Sequence, residues 1–266
     1  MLTTNAKRLI EGALIPLWKK WQVQDTVNGT VELLNVHLKF DPSDPIFDLG
    51  THRKGQPEYV KNEKEWYLSL DRCIKGHPGI EDNKIWSAIC TDDGYVNSNY
   101  GWCVFSPENG NGKMSQYDFA LEQLKVNGIN SGRQSIIYYS RPQMQWEWND
   151  GIHAKKDFTC TINTQHFLRN DKLEYIVNMR SNDVIRGLHC GDLPWHCYVY
   201  NKMFNDINKW RDEIEDQSDM AFQNCEMGTI YWNAASLHCY ERDYQLLDKI
   251  VKEYIENVPE GISKWL

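Results

Sequence analysis

Residues 158–180 read FTCTINTQHFLRNDKLEYIVNMR, two β-prone runs joined by four polar residues, 169–172. A polar connection of this length between two such runs is typical of a β-hairpin. When the flanking residues are paired and the register is carried back along both strands, Cys160 lies opposite Ser181 and within one residue of Arg180. The hairpin therefore predicts that a thiol and a guanidinium are neighbours.

Hydrophobic periodicity predicts further elements on both sides of this hairpin. Helices are predicted at residues 6–21, 60–73, 117–126, 195–210 and 244–254. Strands are predicted at residues 30–40, 135–140 and 229–240. In the first strand, alternation predicts one shared face for Leu34, Val36, Leu38 and Phe40. The pattern predicts an α+β fold, with one large mixed sheet flanked by helices and a single domain over residues 1–266.

Composition excludes some classes of protein. A net charge of -8 argues against a surface for polymeric nucleic acid, which requires clustered cations. We find neither a signal peptide nor an apolar run of membrane-spanning length, so we expect a cytoplasmic protein without membrane contact. The 11 tryptophans suit either a pocket for planar rings or a bulky core.

The eight cysteines are irregularly spaced and form no CxxC pair, which predicts reduced thiols. His189 with Cys190, and His196 with Cys197, do not form a zinc-ligand pattern, so no metal is predicted. A free cysteine is commonly a small buried hydrophobe. The polar run 178–183 at the end of the second hairpin strand nevertheless favours a binding site near Cys160, because such ends often hold binding groups.

Several short motifs share a resemblance to one family. They are EKEW (63–66), NSNYGW (97–102), DFTCT (157–161), NMRSNDVIRG (178–187) and SLHCY (236–240). In sequence and in their order along the chain they resemble active-site segments of the thymidylate synthase superfamily. With YSRPQMQ (139–145), they resemble its phage deoxycytidylate hydroxymethylase branch in particular. The resemblance implies the family's fold and a homodimer formed through a face of the sheet.

The resemblance implies covalent catalysis by Cys160. A thiolate that adds to C6 of a pyrimidine makes C5 nucleophilic toward the one-carbon unit of 5,10-methylenetetrahydrofolate. Arg180 would lower the pKa of the thiol and, with Ser181, bind the 5'-phosphate. The partner subunit would contribute Arg133 to the phosphate site. The family's Arg-Arg pair reads Arg133-Gln134 here, so one cation is missing or comes from elsewhere.

Asp192 is the residue expected to read the base. The family carries an asparagine there for uracil, whereas a carboxyl accepts from the cytosine amino group and, when protonated, donates to N3. One extra residue separates Gly187 from Asp192 relative to the family. The alternative role for Asp192 is the N-cap of the following helix.

The resemblance also implies roles for residues around the base and the sugar. Glu63 would organise water and protons, with Glu65 as the competing choice and a solvated helix face as the alternative for both. Tyr100 would assist removal of the C5 proton. His238 and Tyr240 would hydrogen-bond the sugar, although both could be ordinary strand residues.

Two residues are expected at the folate site. Asp183 resembles the carboxylate that contacts the pterin, with a turn residue as the alternative. Trp86 resembles the ring that stacks on the folate, with a core residue as the alternative.

The implied activity is conversion of dCMP to 5-hydroxymethyl-dCMP, with water added in the last step. The sequence leaves open hydroxymethylation of dUMP or CMP, and hydride transfer as in thymidylate synthesis. A non-catalytic nucleotide-binding relative is the alternative of another class.

Overall fold

The computed structural model describes residues 2–149, 157–214 and 225–257. The helices are α1 (Thr4–Leu9), α2 (Ile15–Gln22), α3 (Pro57–Ser69), α4 (Lys84–Ile89), α5 (Tyr100–Phe105), α6 (Gln116–Ser131), α7 (Gln143–Asn149), α8 (Leu193–Asp212) and α9 (Tyr244–Asn257). The strands are β1 (Thr30–Phe40), β2 (Ile136–Tyr138), β3 (Thr161–Arg169), β4 (Lys172–Met179), β5 (Asn182–Asp183) and β6 (Glu226–Tyr240). Segments of π-helix, Ile10–Leu14 and Val184–Asp192, lead into α2 and α8. Single 3₁₀ turns occupy Pro107–Asn109 and Glu241–Asp243.

The strands form one mixed sheet in the order β1, β6, β4, β3, β2, and β5 also pairs with β6. Strand β6 runs parallel to β4 and antiparallel to β1, whereas β3 is antiparallel to both β4 and β2. The predicted α+β fold with one mixed sheet is confirmed. No helix in the described ranges has the length and apolar character needed to cross a membrane.

The β3–β4 hairpin is tighter than the sequence indicated. Arg169 pairs with Lys172, so the turn has two residues rather than four. Asn170 and Asp171 have φ values of 51° and 60°. Two consecutive left-handed residues match the twist of the flanking strands, and asparagine and aspartate tolerate that conformation better than most residues.

A β-bulge between Thr161 and Asn163 shifts the hairpin register by one residue. Beyond the bulge, the amide of Arg180 donates to the carbonyl of Cys160 at 2.9 Å. The predicted pairing of Cys160 with Ser181 is therefore wrong, because the extra residue displaces one strand against the other. The thiol and the arginine are direct cross-strand neighbours.

Strand β1 also breaks its predicted alternation. Asn35 has a φ of 55°, which reverses the side-chain direction along the strand. Leu34 is 72% exposed, whereas Leu38 and Phe40 are buried. The single apolar face predicted for these residues is therefore wrong at Leu34.

The two faces of the sheet differ in character. Helices α2, α6, α8 and α9 pack against the strands and cover large buried side chains such as Trp232 and Tyr175. The other face carries His37, Asn233, Asn178 and Asn163, which form a hydrogen-bonded row across β1, β6, β4 and β3. The core therefore lies on the helical side.

Candidate active site

A cavity of about 820 Å³ lies between α3, α4, the second π-helix and the ends of β5 and β6. This volume is within the range of small-molecule sites. Most residues predicted for the site line this cavity: Glu63, Trp86, Tyr100, Cys160, Ser181, Asp183, Asp192, His238 and Tyr240. The fold therefore brings together residues that are far apart in the sequence.

Two predicted arginines are placed differently. Arg180 lies beside the cavity, where Nε donates to the carbonyl of Thr159 at 3.0 Å and Nη2 to that of Phe158 at 2.6 Å. Its Nη2 lies 4.0 Å from the sulfur of Cys160. Arg133 lies outside the cavity of its own chain, near the start of β2, and its carbonyl accepts from Gln165 at 2.6 Å.

Desolvation dominates the acidity of the Cys160 thiol. Burial raises its pKa to about 12, and the carboxylate of Asp192 raises it further, against the opposing charge of Arg180. Arg180 lowers the pKa of the thiol as expected, but desolvation outweighs this one cation, whose donors also serve two carbonyls.

Asp192 is held by a directional hydrogen-bond chain. The indole of Trp232 donates to Oδ1 of Asn182 at 3.1 Å, and Nδ2 of Asn182 donates to Oδ2 of Asp192 at 2.7 Å. An indole N–H can only donate, so it fixes which end of the Asn182 amide faces Asp192. Burial raises the pKa of Asp192 to about 6, while the bond from Asn182 opposes this shift and the charge of Asp183 adds to it.

The segment Val184–Asp192, where one extra residue is expected, is a π-helix, which takes more residues per turn than an α-helix. This segment continues directly into α8, and the side chain of Asp192 makes no capping bond. Asp192 therefore occupies the N-cap position of α8 without capping the helix through its side chain. Asp183 is the cap instead, since its Oδ1 accepts from the amides of Ile185 and Arg186.

Glu63 is buried on the cavity side of α3, whereas Glu65 is exposed. Its Oε1 accepts from the hydroxyl of Tyr59 at 2.6 Å, and that hydroxyl accepts from the indole of Trp86 at 3.1 Å. Burial raises the pKa of Glu63 to about 8, against the bond from Tyr59. A Cβ at Gly191 would lie 2.9 Å from Oε2 of Glu63, so glycine permits this close approach.

Tyr100 is held against the segment that carries Cys160. Its Oη accepts from the amide of Thr161, the residue after Cys160, at 3.1 Å. Burial raises the pKa of this phenol, so it is neutral. The next residue, Gly101, lets α5 pack on the backbone of α3, because a Cβ there would lie 1.8 Å from the carbonyl oxygen of Tyr67.

His238 and Tyr240 project from the end of β6 into the cavity with ring centroids 5.0 Å apart. His238 is buried and Tyr240 is 37% exposed. Alternation along a strand explains why both reach the same side. This arrangement offers a ring nitrogen and a phenol to one ligand.

Helix α4 forms an apolar wall of the cavity with Ile85, Trp86 and Ile89. Asp183 adds a carboxylate to the same cavity. Its Oδ2 lies 3.3 Å from a guanidinium nitrogen of Arg242. An apolar wall with a nearby carboxylate fits a planar heterocycle that carries N–H donors, as a pterin does.

Sequence reasoning missed four residues of the site. Tyr59 precedes Glu63 by one helical turn on the same face, so its spacing was an available signal. Asn182 lies inside the motif NMRSNDVIRG, but its contact with Asp192 depends on tertiary structure. Asp157 and Ser98 also line the cavity, and only their places in the quoted motifs could have marked them.

No group of three or more metal-ligating side chains occurs within the described ranges. All eight cysteines are free thiols.

Comparisons with known proteins agree with this geometry. The family model described as thymidylate synthase matches residues 16–206. The deoxycytidylate 5-hydroxymethyltransferase of Enterobacteria phage T4 is 38% identical over 192 residues, which cover 72% of this chain and 70% of the relative. The thymidylate synthase of Bacillus mojavensis is 27% identical over 231 residues, covering 84% and 71%.

Among solved structures, thermostable thymidylate synthase A from Bacillus subtilis aligns with a TM-score of 0.57 and 22% identity. The alignment covers 84% of this chain and 71% of that chain. This likeness confirms the predicted fold. Because the family model spans most of the chain, the chain belongs to the thymidylate synthase family.

Proposed function

We propose that this chain is a deoxycytidylate 5-hydroxymethyltransferase. It transfers a one-carbon unit from 5,10-methylenetetrahydrofolate to C5 of dCMP and hydrates that unit to a hydroxymethyl group. The observation that carries the proposal is the carboxyl of Asp192, which lines the same cavity as the thiol of Cys160. The phage relatives whose names carry this activity give independent support.

The direction of the Asn182 bond favours cytosine over uracil. Because Oδ2 of Asp192 accepts from Asn182, a proton on this carboxyl is best placed on Oδ1. Oδ1–H then donates to N3 of cytosine, and Oδ2 accepts from the exocyclic amino group. Uracil presents N3–H and O4, and its pattern requires the reverse arrangement.

Cys160 supplies the nucleophile that adds to C6. Its high pKa means that the proton must leave as the base binds, and a protonated Asp192 removes the carboxylate charge that opposes the thiolate. Methylenetetrahydrofolate supplies the electrophilic one-carbon unit. Glu63, which keeps its proton up to a pKa of about 8, organises proton movement near the base, and Tyr100 assists loss of the C5 proton.

Substrate contacts beyond the base follow from the same cavity. His238 and Tyr240 bind the deoxyribose, Arg180 and Ser181 bind the phosphate, and α4 with Asp183 receives the folate. The free thiols support a protein that works in reducing cytoplasm.

A homodimer completes the phosphate site in this proposal. The sheet face opposite the helices carries the row from His37 to Asn163 and the exposed Leu34 and Ile162. Such a face suits a symmetric interface, and Arg133, which lies outside its own cavity, is then available to the partner's site.

Subunit complementation tests this arrangement. Arg133→Ala and Cys160→Ala each lose activity alone, and a mixture allowed to exchange subunits regains activity, since one site of each mixed dimer has both residues. A mixture that stays inactive despite confirmed exchange would place Arg133 in the site of its own chain or outside any site.

The function is tested by product analysis with dCMP, dUMP and CMP, each supplied with methylenetetrahydrofolate. We expect 5-hydroxymethyl-dCMP and tetrahydrofolate, identified by mass spectrometry. A methylated product with dihydrofolate would indicate thymidylate-synthase chemistry, and preference for dUMP would overturn the role of Asp192. Nucleotide binding without any product would identify a non-catalytic relative.

A further inference from the structure

Four carboxylates line the cavity among the described residues: Glu63, Asp157, Asp183 and Asp192. Glu63 bonds to Tyr59, and Asp192 bonds to Asn182. Asp183 caps the π-helix. Asp157 is the carboxylate for which the proposed reaction has provided no role.

Asp157 is held rigidly by the segment that precedes Tyr100. Its Oδ2 accepts from the amides of Asn97 at 2.7 Å and Ser98 at 2.6 Å, and its Oδ1 accepts from the hydroxyl of Ser98 at 2.5 Å. These donors use three of the roughly four acceptor positions of a carboxylate. The remaining position lies on Oδ1, the oxygen that meets Ser98.

The position of Asp157 relative to Cys160 follows from two cross-links. Residues 97–100 and 157–161 run side by side, joined at one end by the Ser98–Asp157 bonds and at the other by the bond from the Thr161 amide to Tyr100. Cys160 lies between these links. Asp157 is near enough that its charge raises the pKa of the Cys160 thiol.

Asp157 has the properties of a base that acts on water. It is only 5% exposed, and burial raises its pKa, which strengthens it as a proton acceptor. Ser98 is 6% exposed and donates its hydroxyl proton to Asp157, so its lone pairs are directed elsewhere. A water bound by Oδ1 of Asp157 and the hydroxyl oxygen of Ser98 would lie on the same side of the cavity as Tyr100.

Resting on the proposed function, we infer that Asp157, with Ser98, holds and deprotonates the water that adds to the exocyclic methylene of the pyrimidine. The water oxygen bonds to the methylene carbon, and the electron pair of the exocyclic double bond forms the C5–C6 double bond. The C6–S bond breaks and returns its electron pair to the sulfur of Cys160. Asp157 takes the proton from the water, and that proton restores the thiol.

Asp157→Asn isolates this role because it keeps the local geometry. The amide oxygen can accept from the two backbone amides, and the amide nitrogen can donate to the Ser98 hydroxyl. The variant lacks only the basic oxygen. Asp206→Asn is the matched control, since Asp206 accepts from the Tyr117 hydroxyl at 2.7 Å on α8 and does not line the cavity.

The experiment compares tritium release from [5-³H]dCMP with formation of 5-hydroxymethyl-dCMP. In wild type and Asp206→Asn the two should be equal. In Asp157→Asn, hydroxymethyl product should fall about 100-fold relative to the first round of tritium release. Intact-protein mass should show a nucleotide adduct on Cys160, and added 2-mercaptoethanol should capture the methylene as a thioether.

Equal loss of tritium release and product in Asp157→Asn would overturn the inference, as would product that stays equal to tritium release. Ser98→Ala is the second variant. It should also lower the ratio of product to tritium release, by a smaller factor because the carboxylate remains, and an unchanged ratio would again contradict the role. Absence of tritium release in wild type would instead reject the proposed function.

Discussion

The cavity wall and the sealed core both contain titratable groups whose pKa is shifted by burial, yet they differ in access to a ligand. Cys160 on the wall and Cys103 in the core both have a pKa raised to about 12, and each lies near an arginine. Cys103 is fully buried and contacts two carbonyls, whereas Cys160 opens into a cavity with Asp192. A shifted pKa alone therefore does not identify the nucleophile, but access to a ligand and partners that can move a proton do.

Replacing each thiol separately should give the largest difference in activity between the cavity wall and the core. Cys160→Ala should lower tritium release from dCMP by at least about 10³-fold, because Cys160 is the thiol that lines the cavity and the variant cannot form the C6–S bond. Cys103→Ala should stay within about two-fold of wild type when measured on folded protein. Comparable losses in both variants would contradict the distinction.

Asp192→Asn tests a second group of the cavity wall, the carboxyl proposed to read the base. An amide cannot transfer a proton to N3 of cytosine as the thiolate adds to C6, so the ratio of kcat/KM for dCMP to that for dUMP should fall by about 100-fold or more. Asp206→Asn, on α8, provides the control. A ratio unchanged by Asp192→Asn would remove Asp192 as the base-reading residue.

Glu63→Gln tests the second buried acid of the wall. Since the pKa of Glu63 is raised to about 8, it is neutral below that pH and ionises above it. Wild-type kcat/KM should therefore decline above about pH 8, and the variant should be lowered by about 100-fold without that decline. Glu65→Gln, at the exposed neighbour, should keep the wild-type profile. If the decline persists in Glu63→Gln, it belongs to another group.

The smallest expected effect is on stability, and it comes from a histidine in the core. Burial lowers the pKa of His166 to about 3, and neither ring nitrogen has a hydrogen-bond partner. As pH falls below the ordinary histidine pKa of about 6.5, only the unfolded chain gains the proton, so the free energy of unfolding decreases. This cost is about 2 kcal/mol at pH 5.

His166→Phe should therefore reduce the loss of Tm between pH 7 and pH 5 without changing turnover of dCMP. His196→Phe is the contrasting variant, since its ring nitrogens bond to Thr161 and Tyr175. It should destabilise the protein at both pH values. An acid response of His166→Phe equal to that of wild type would contradict the buried neutral histidine.

The pattern of apolar residues along the chain predicted the longer helices and strands, but not the exact strand registers. The predicted helices and strands appear near the expected positions, because hydrophobic periodicity reports which faces are buried, whereas the short elements α4, α5, α7 and β5 were not predicted. The bulge after Thr161 and the reversal at Asn35 escaped prediction, since one inserted or left-handed residue flips alternation without changing composition.

The candidate site was predictable where motifs carried it and not where long-range contacts did. Cys160, Glu63 and Asp192 follow from resemblance and from spacing. The Trp232–Asn182–Asp192 chain joins residues up to 50 positions apart, and the bonds between Ser98 and Asp157 join residues 59 positions apart. Desolvation, which determines the pKa of Cys160, depends on the packed cavity and could not be read from the adjacent Arg180.

The most direct measurement is tritium release from [5-³H]dCMP and [5-³H]dUMP, with methylenetetrahydrofolate, in wild type and Cys160→Ala. We predict release from dCMP far above that from dUMP, and none from either nucleotide in Cys160→Ala. Release that survives the loss of Cys160, or that favours dUMP, would contradict covalent catalysis on a cytosine nucleotide by this site.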